Sequence, residues 1–380
     1  MVAGFDEDVI AHILTHQMGI GKSDISAIDL SEFVEERDLV NKLIDKVLYR
    51  IKSQAMEKKL CQRRWVDVSK RIITGMDGLG LDLIEVEESF GLGKTLVEQI
   101  NVPVVTRLHG PWFIHGPIMQ LEHKNDFEPR VEAEGIAIKL SHAITAPSQA
   151  VLDDVREYYN HPLPNAKVIP NPVPPVDDDH LWQHNPDSVP FVLIVGRFDL
   201  QKGGDLAINA FNLLAQENLD IKLLFVGPDR GLNIDGRKLS FEQYVDRYVT
   251  KQSVKDRISF LGHCDSDKIK ELRQKAAVTM MTSRYETFSI SLAEALSAGS
   301  PVVATNVGAI KELVTDGYNG LLAEAGSAES IAEKVTELIN DPKKMKMLSK
   351  NAIEDSKKRF SPSVVAKQTV QLYKSVIANF

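Results

Sequence analysis

The sequence predicts an α/β fold on parallel sheets, and three observations carry that prediction. Short apolar runs of strand length recur along the chain, as strands buried on both faces require. One of them, Val278–Met281, is followed by a stretch of helix length. That helix opens near Ser289–Ser291, whose hydroxyls can cap it, and stops at Gly299; Pro301 then opens the next run, Val302–Thr305. Strand, loop, helix, strand is a βαβ unit. Finally, a stretch from Asn171 to Pro190 holding five of the chain's 17 prolines separates two blocks of such runs. At 380 residues the chain can build a sizeable core in each block.

Composition narrows the function classes. Hydrophobic residues make up 43% of the chain, and the net charge is −8. A nucleic-acid binder would usually be basic. Two cysteines, Cys61 and Cys264, imply no disulfide framework and fit a reducing compartment. Asp6, Glu7 and Asp8 stand where a secretion signal needs a basic start and an apolar run. No apolar run approaches eighteen residues. The expected location is cytoplasmic.

In the first block, Met1–Phe5 and Ile25–Leu30 read as short strands. From Val40 the apolar positions Leu43, Ile44, Val47, Leu48, Ile51 and Ala55 keep helical spacing. Between residues 45 and 73 the charges are nine basic against three acidic, with Trp65 among them. That pattern suits a solvated helix face, or peripheral contact with anionic lipid at the inner face of a membrane. Leu81–Val86 and Val102–Leu108 read as buried parallel strands, with a helix over Gly91–Gln99 between them. Gly91-Leu92-Gly93-Lys94-Thr95 imitates a phosphate-binding loop, but the position that needs the first glycine is Glu88, whose charge would repel phosphate. His109-Gly110-Pro111 follows at a strand's carboxyl end. A histidine there can be a packed residue or a chemical one. Ala143–Pro147 is a further strand, and Ser148 caps a helix running through Glu157.

In the second block, Asp177-Asp178-Asp179 mimics a metal-binding Asp-x-Asp but lies between prolines rather than at a strand end, so no metal is assigned. The strand Phe191–Gly196 runs directly into Arg197, then Lys202-Gly203-Gly204. Two cations at the carboxyl end of a strand suit an anion. Lys222–Gly227, Ile258–Gly262 and Val278–Met281 continue the sheet. Gly231–Ser253 is a charged excursion that carries a helix. Ser327–Asn340 and Ser363–Phe380 are amphipathic helices.

Two carboxylates frame the βαβ helix start. Glu286 lies in the loop before it and Glu294 about a turn inside, leaning back toward the same mouth. Carboxylates offer only acceptors and suit paired sugar hydroxyls, whereas the N–H groups of Phe288–Ile290 suit phosphate. Such a site fits a ligand with phosphates in the middle and sugars at both ends.

The full motif is Glu286, Phe288, Ser289, Glu294 and Ala295, then Gly299, Pro301, Val302, Val303, Ala304 and Thr305, with Gly308 and Asp316-Gly317 beyond. It resembles the family-4 retaining glycosyltransferases of the GT-B fold, over roughly Leu81 to the C-terminus. Ser289 departs from the glycine many members carry. The resemblance implies two Rossmann-like αβα domains facing across a cleft. They would be residues 1–175 and 191–362, with a linker at 176–190 and a last helix, 363–380, crossing back. It implies catalytic roles for His109, Arg197, Lys202 and Glu286. Donor binding would fall to Gly196, Arg197, Lys202, His263, Glu286, Phe288, Ser289, Ile290 and Glu294. The substrates would be a nucleotide diphosphate sugar and an acceptor hydroxyl, in polysaccharide, glycolipid or small-molecule glycoside synthesis, with no metal and no cofactor. A nucleotide-sugar epimerase or a binding remnant without transfer activity are the alternatives; the lysine motif of a phosphorylase is not found. Met1-Val2-Ala3-Gly4-Phe5 resembles the end of the family's second strand, with no Gly-rich turn after it. The expectation is therefore that the chain lacks the start of its first domain.

Overall fold

The computed structural model describes residues 54–380 apart from 77, 79, 186–188 and 217–219. The strands expected at Met1–Phe5 and Ile25–Leu30, the missing first strand, and the helical spacing before Gln54 all lie outside the described residues. The chain divides into two units, Met1–Pro170 with Val365–Phe380, and Asn171–Val364.

The first unit holds a four-stranded parallel sheet of β1 (Ile84–Glu87), β2 (Val104–Arg107), β3 (Ala143–Ala146) and β4 (Ala166–Val168). Strand order follows chain order, and every pairing is parallel, the progression of one half of a doubly wound sheet. Every residue of β2 and β3 is buried, and all but Arg107 are apolar or small. Helices Leu92–Gln99, Phe127–Leu140 and Gln149–Tyr158 connect the strands. The Ser148 hydroxyl accepts from the Val151 N–H at 3.3 Å, capping the last of these as expected. Val365 and Leu372 of the helix Pro362–Asn379 pack on Ile169.

The second unit is a six-stranded sheet of β5 (Phe191–Val195), β6 (Lys222–Val226), β9 (Ile258–Gly262), β10 (Val278–Met281), β11 (Val302–Thr305) and β12 (Leu321–Ala323). Its order is β12-β11-β10-β5-β6-β9, all parallel. The chain winds outward one way from β5, then returns to β5's other side at β10. Between those two strands the connections leave in opposite directions, and a crevice opens at their carboxyl ends. Phe198 packs edge-on against Phe225 and Phe241 at 5.7 and 5.0 Å beneath this edge.

One element differs from expectation. The excursion from Gly231 carries its helix, Phe241–Tyr248, opened by a Ser240/Gln243 capping box. Before it stands an unexpected hairpin, β7 (Leu232–Ile234) and β8 (Arg237–Leu239). Its turn residues Asp235 and Gly236 have φ of 49° and 76°, the pair of positive values that a type I′ hairpin turn requires. The proline-rich stretch belongs to the second unit. Trp182 anchors it there, its indole N–H donating to the Ala276 carbonyl at 2.7 Å. Asp177, Asp178 and Asp179 are all exposed. Among the described residues no helix is long and apolar enough to cross a membrane.

Candidate functional site

In the second unit, the loops that leave β5 and β10 meet at the crevice. Lys202 Nζ lies 2.6 Å from Glu286 Oε1, with both side chains largely buried. The Ser283 hydroxyl donates to the same oxygen at 2.6 Å. Lys202 can reach Glu286 because the loop after β5 presses against β10. A Cβ on Gly203, whose φ is +65°, would fall 1.9 Å from the Thr282 carbonyl oxygen. Only glycine permits both that conformation and that approach. The Thr282 hydroxyl then donates to the carbonyls of Lys202 and Gly203, each at 2.9 Å.

Arg197 stands in the same loop and is held by groups that the sequence reading did not single out. Its Nε donates to Asp199 at 2.6 Å and a terminal nitrogen to Gln201 at 3.1 Å. Asp199 also accepts the Lys202 backbone N–H at 2.8 Å, so one carboxylate shapes the loop and aims the guanidinium. An aspartate three residues before the residue it caps is a local signal that could have found it. From β10's side, Arg284 pairs with Asp205 through two bonds of 2.8 and 2.6 Å and donates to the Leu200 carbonyl. That pair spans 79 positions and leaves no local pattern.

The helix Ile290–Ser297 begins at this edge. As its first residues, Ile290 and its neighbours have no intrahelical acceptor for their N–H groups. The expected hydroxyl cap is corrected in one respect. Ser289 occupies the cap position, but with φ +73° its side chain makes no cap bond, and its buried Oγ has no partner. The left-handed backbone turns the hydroxyl away from the helix. A backbone position of this kind favours glycine. Ser291 supplies the anchor instead, donating to the Val195 carbonyl at 2.8 Å. The Phe288 ring is core, edge-on to Phe360 at 5.5 Å, so that residue offers the crevice only its backbone.

Glu294 is ion-paired rather than alone. Arg273, almost wholly buried, lies 2.7 Å from Glu294 Oε2 and also donates to Ser291. The Glu294 carboxylate keeps 42% side-chain exposure, enough for a ligand to share it. His263 is exposed in the loop after β9, two strands from β5. Gly196 directly follows β5, beside the Lys202 stem.

In the first unit, His109 follows β2 at the sheet's carboxyl edge. Burial, with the Arg107 guanidinium nearby, pushes its pKa down to about 4, so the imidazole is neutral at pH 7. Its backbone N–H donates to Glu88 at 2.9 Å. Glu88 is the residue that excluded a phosphate loop; fully buried, it is pushed up to about 7 by desolvation and then by the neighbouring Glu134.

The model of the family described as Glycosyl transferases group 1 matches residues 177–355, and that of Glycosyltransferase Family 4 matches residues 41–176. An uncharacterized glycosyltransferase of Methanocaldococcus jannaschii, MJ1178, is 30% identical over 294 residues, 77% of this chain and 74% of its own length. The fold is similar to that of sucrose-phosphate synthase from Thermosynechococcus elongatus, with a TM-score of 0.69 at 22% identity over 84% of this chain and 79% of that one. It is also similar to that of Anabaena HepE in complex with UDP, with a TM-score of 0.63 at 23% identity over 81% and 82%.

Ser289→Gly is expected to stabilise the second unit by about 1 kcal/mol, because a left-handed non-glycine residue costs roughly 1–2 kcal/mol. Thermal unfolding should rise by about 2–4 °C; a fall would mean the serine contributes a bond of its own. His109 should titrate by NMR with a midpoint near 4. Its depressed pKa means that stability is fully present above about 6.5 and declines as pH falls from there through about 4. His109→Gln should therefore lose less stability than the wild type over that window. A midpoint at or above 6.5 would contradict the burial argument.

Proposed function

The chain belongs to the group 1 glycosyltransferases, and we propose that it moves a sugar from a nucleotide diphosphate sugar to an acceptor hydroxyl with retention of anomeric configuration. The observation that carries this reading is the buried Lys202–Glu286 pair at the point where the second sheet changes direction. Arg197 shares its loop and a helix start lies on its other side. Cations and free N–H groups at one edge favour a diphosphate, and carboxylates beside them favour sugar hydroxyls. HepE, whose fold this chain shares, has been crystallised with UDP.

In this mechanism Arg197 and Lys202 stabilise the charge that builds on the departing diphosphate, aided by the N–H groups of Phe288, Ser289 and Ile290. Glu286 accepts from hydroxyls of the transferred sugar and Glu294 from the ribose. Gly196 lets the diphosphate approach the backbone, and His263 lies in the loop that meets the base. His109, neutral, orients the sugar or phosphate. The acceptor attacks from the face the diphosphate leaves, and the departing phosphate oxygen takes its proton. The two side-chain cations supply the positive charge, so the reading takes neither metal nor cofactor. Contact with anionic lipid through 45–73 is part of the same proposal, supported by the exposure of Lys59, Arg63, Arg64 and Lys70.

Titration with UDP, GDP and ADP under excess chelator tests the site. At least one should bind the wild type undiminished by chelation. Glu294→Ala should weaken that nucleotide about tenfold or more, the value of a charged hydrogen bond of roughly 1.5–3 kcal/mol. Arg197→Ala should mainly slow turnover, since its contact strengthens as leaving-group charge develops. Binding lost on chelation, or unchanged in Glu294→Ala, would overturn the assignment.

A further inference from the structure

Two carboxylates in the first unit, Glu88 and Glu134, have no solvent exposure at all. Glu88 directly follows β1, and its backbone N–H continues the ladder to the Arg107 carbonyl. Its two oxygens accept from consecutive backbone groups of the neighbouring loop, His109 N–H at 2.9 Å and Gly110 N–H at 2.7 Å. Glu134, on the helix Phe127–Leu140, takes the Trp112 N–H at 2.7 Å on one oxygen. On the other it takes the Phe90 N–H at 3.3 Å and Arg130 Nε at 2.7 Å. The Arg130 guanidinium then lies between the Phe90 and Trp112 rings, 4.0 and 3.9 Å from their centroids. The turn carrying Phe90 rests directly on the helix, since a Cβ on Gly91 would lie 2.5 Å from the Ala133 carbonyl carbon.

Burying a carboxylate costs several kcal/mol even after relaxation. Asparagine, serine or water could satisfy one loop N–H at less cost. What only a carboxylate offers is an acceptor on both oxygens, and the loop presents two adjacent donors. Because those donors are taken by the protein, the loop cannot use them as an anion cradle. What it has to offer a substrate is the His109 side chain.

Resting on the role of His109 stated above, we propose that Glu88 is a positioning residue for transfer. It fixes the backbone on which the imidazole is mounted, and Glu134 with Arg130 secures the far end of the same loop. Its effect falls on turnover more than on nucleotide affinity, because both cations and the residues assigned to ribose and base, Glu294 and His263, lie in the second unit.

The test compares Glu88→Gln, Glu88→Asp and His109→Ala with the wild type. Turnover is measured with whichever of UDP-glucose, GDP-mannose and ADP-glucose the wild type consumes, and amide hydrogen exchange is followed across residues 107–113. An amide side chain can accept only one of the two N–H groups, so Glu88→Gln should lower kcat at least tenfold with donor KM within about twofold. Exchange should rise in 107–113 while the second unit is unchanged. Glu88→Asp, which keeps both acceptors on a shorter stem, should recover part of the loss. Unchanged kcat, or a loss accompanied by faster exchange throughout the first unit, would overturn the proposal, the second outcome marking Glu88 as merely structural. Full turnover in His109→Ala would instead overturn the reading of His109 itself, and the positioning role with it.

Discussion

A lysine and a glutamate 84 positions apart meet at 2.6 Å with both side chains largely buried, and the second unit is arranged around that contact. The pair is a constraint more than a source of stability. Desolvating both charges offsets most of their attraction, while removing either partner alone would strand the other at a cost of about 3–5 kcal/mol. Its geometry demands that the loop after β5 lie flat on the end of β10, hence the glycine at 203 and the Thr282 bonds beneath it. It demands that Glu286 be fixed from behind, which Ala309 does by donating to its carbonyl at 2.9 Å. The Arg284–Asp205 pair ties the loop after β10 to the start of the helix Gly204–Gln216. On the proposed reading, a diphosphate entering this edge would meet cations already aimed, leaving little reorganisation to the reaction itself.

Much of this was legible because parallel strands buried on both faces are short, apolar and punctuated. β9, β10 and β11 lie where the apolar runs put them, and β2 and β5 differ only at their ends. The carboxyl-edge placement of Arg197, Lys202 and Glu286 follows from those strands alone. The sequence reading misses the hairpin of β7 and β8, although Asp235-Gly236 announces it, because it takes Gly231–Ser253 only as a charged excursion carrying a helix. Ser289 was read by its hydroxyl, when its backbone angle decides what it does. Three further contacts had no signal to read: Arg273 on Glu294, Arg284 on Asp205, and Glu88 on the His109 loop. Each joins residues 21 to 79 positions apart through the fold, where neither period nor spacing reaches.

The two units solve one problem by opposite means. The second sets a cation against each of its two site carboxylates, Lys202 against Glu286 and Arg273 against Glu294. The first spends carboxylates on backbone N–H groups and leaves the histidine neutral. In both units the ionisable groups lie at the carboxyl edge of a parallel sheet, where strand ends and helix starts already favour polar ligands.

The most direct measurement is a crystal structure of the chain with a bound nucleoside diphosphate. The account predicts the two phosphates within hydrogen-bonding distance of the Arg197 and Lys202 side chains and the N–H groups of Phe288–Ile290, with the ribose hydroxyls on Glu294. A nucleotide seated away from the carboxyl ends of β5 and β10, or there but with its phosphates turned from both cations, would contradict it.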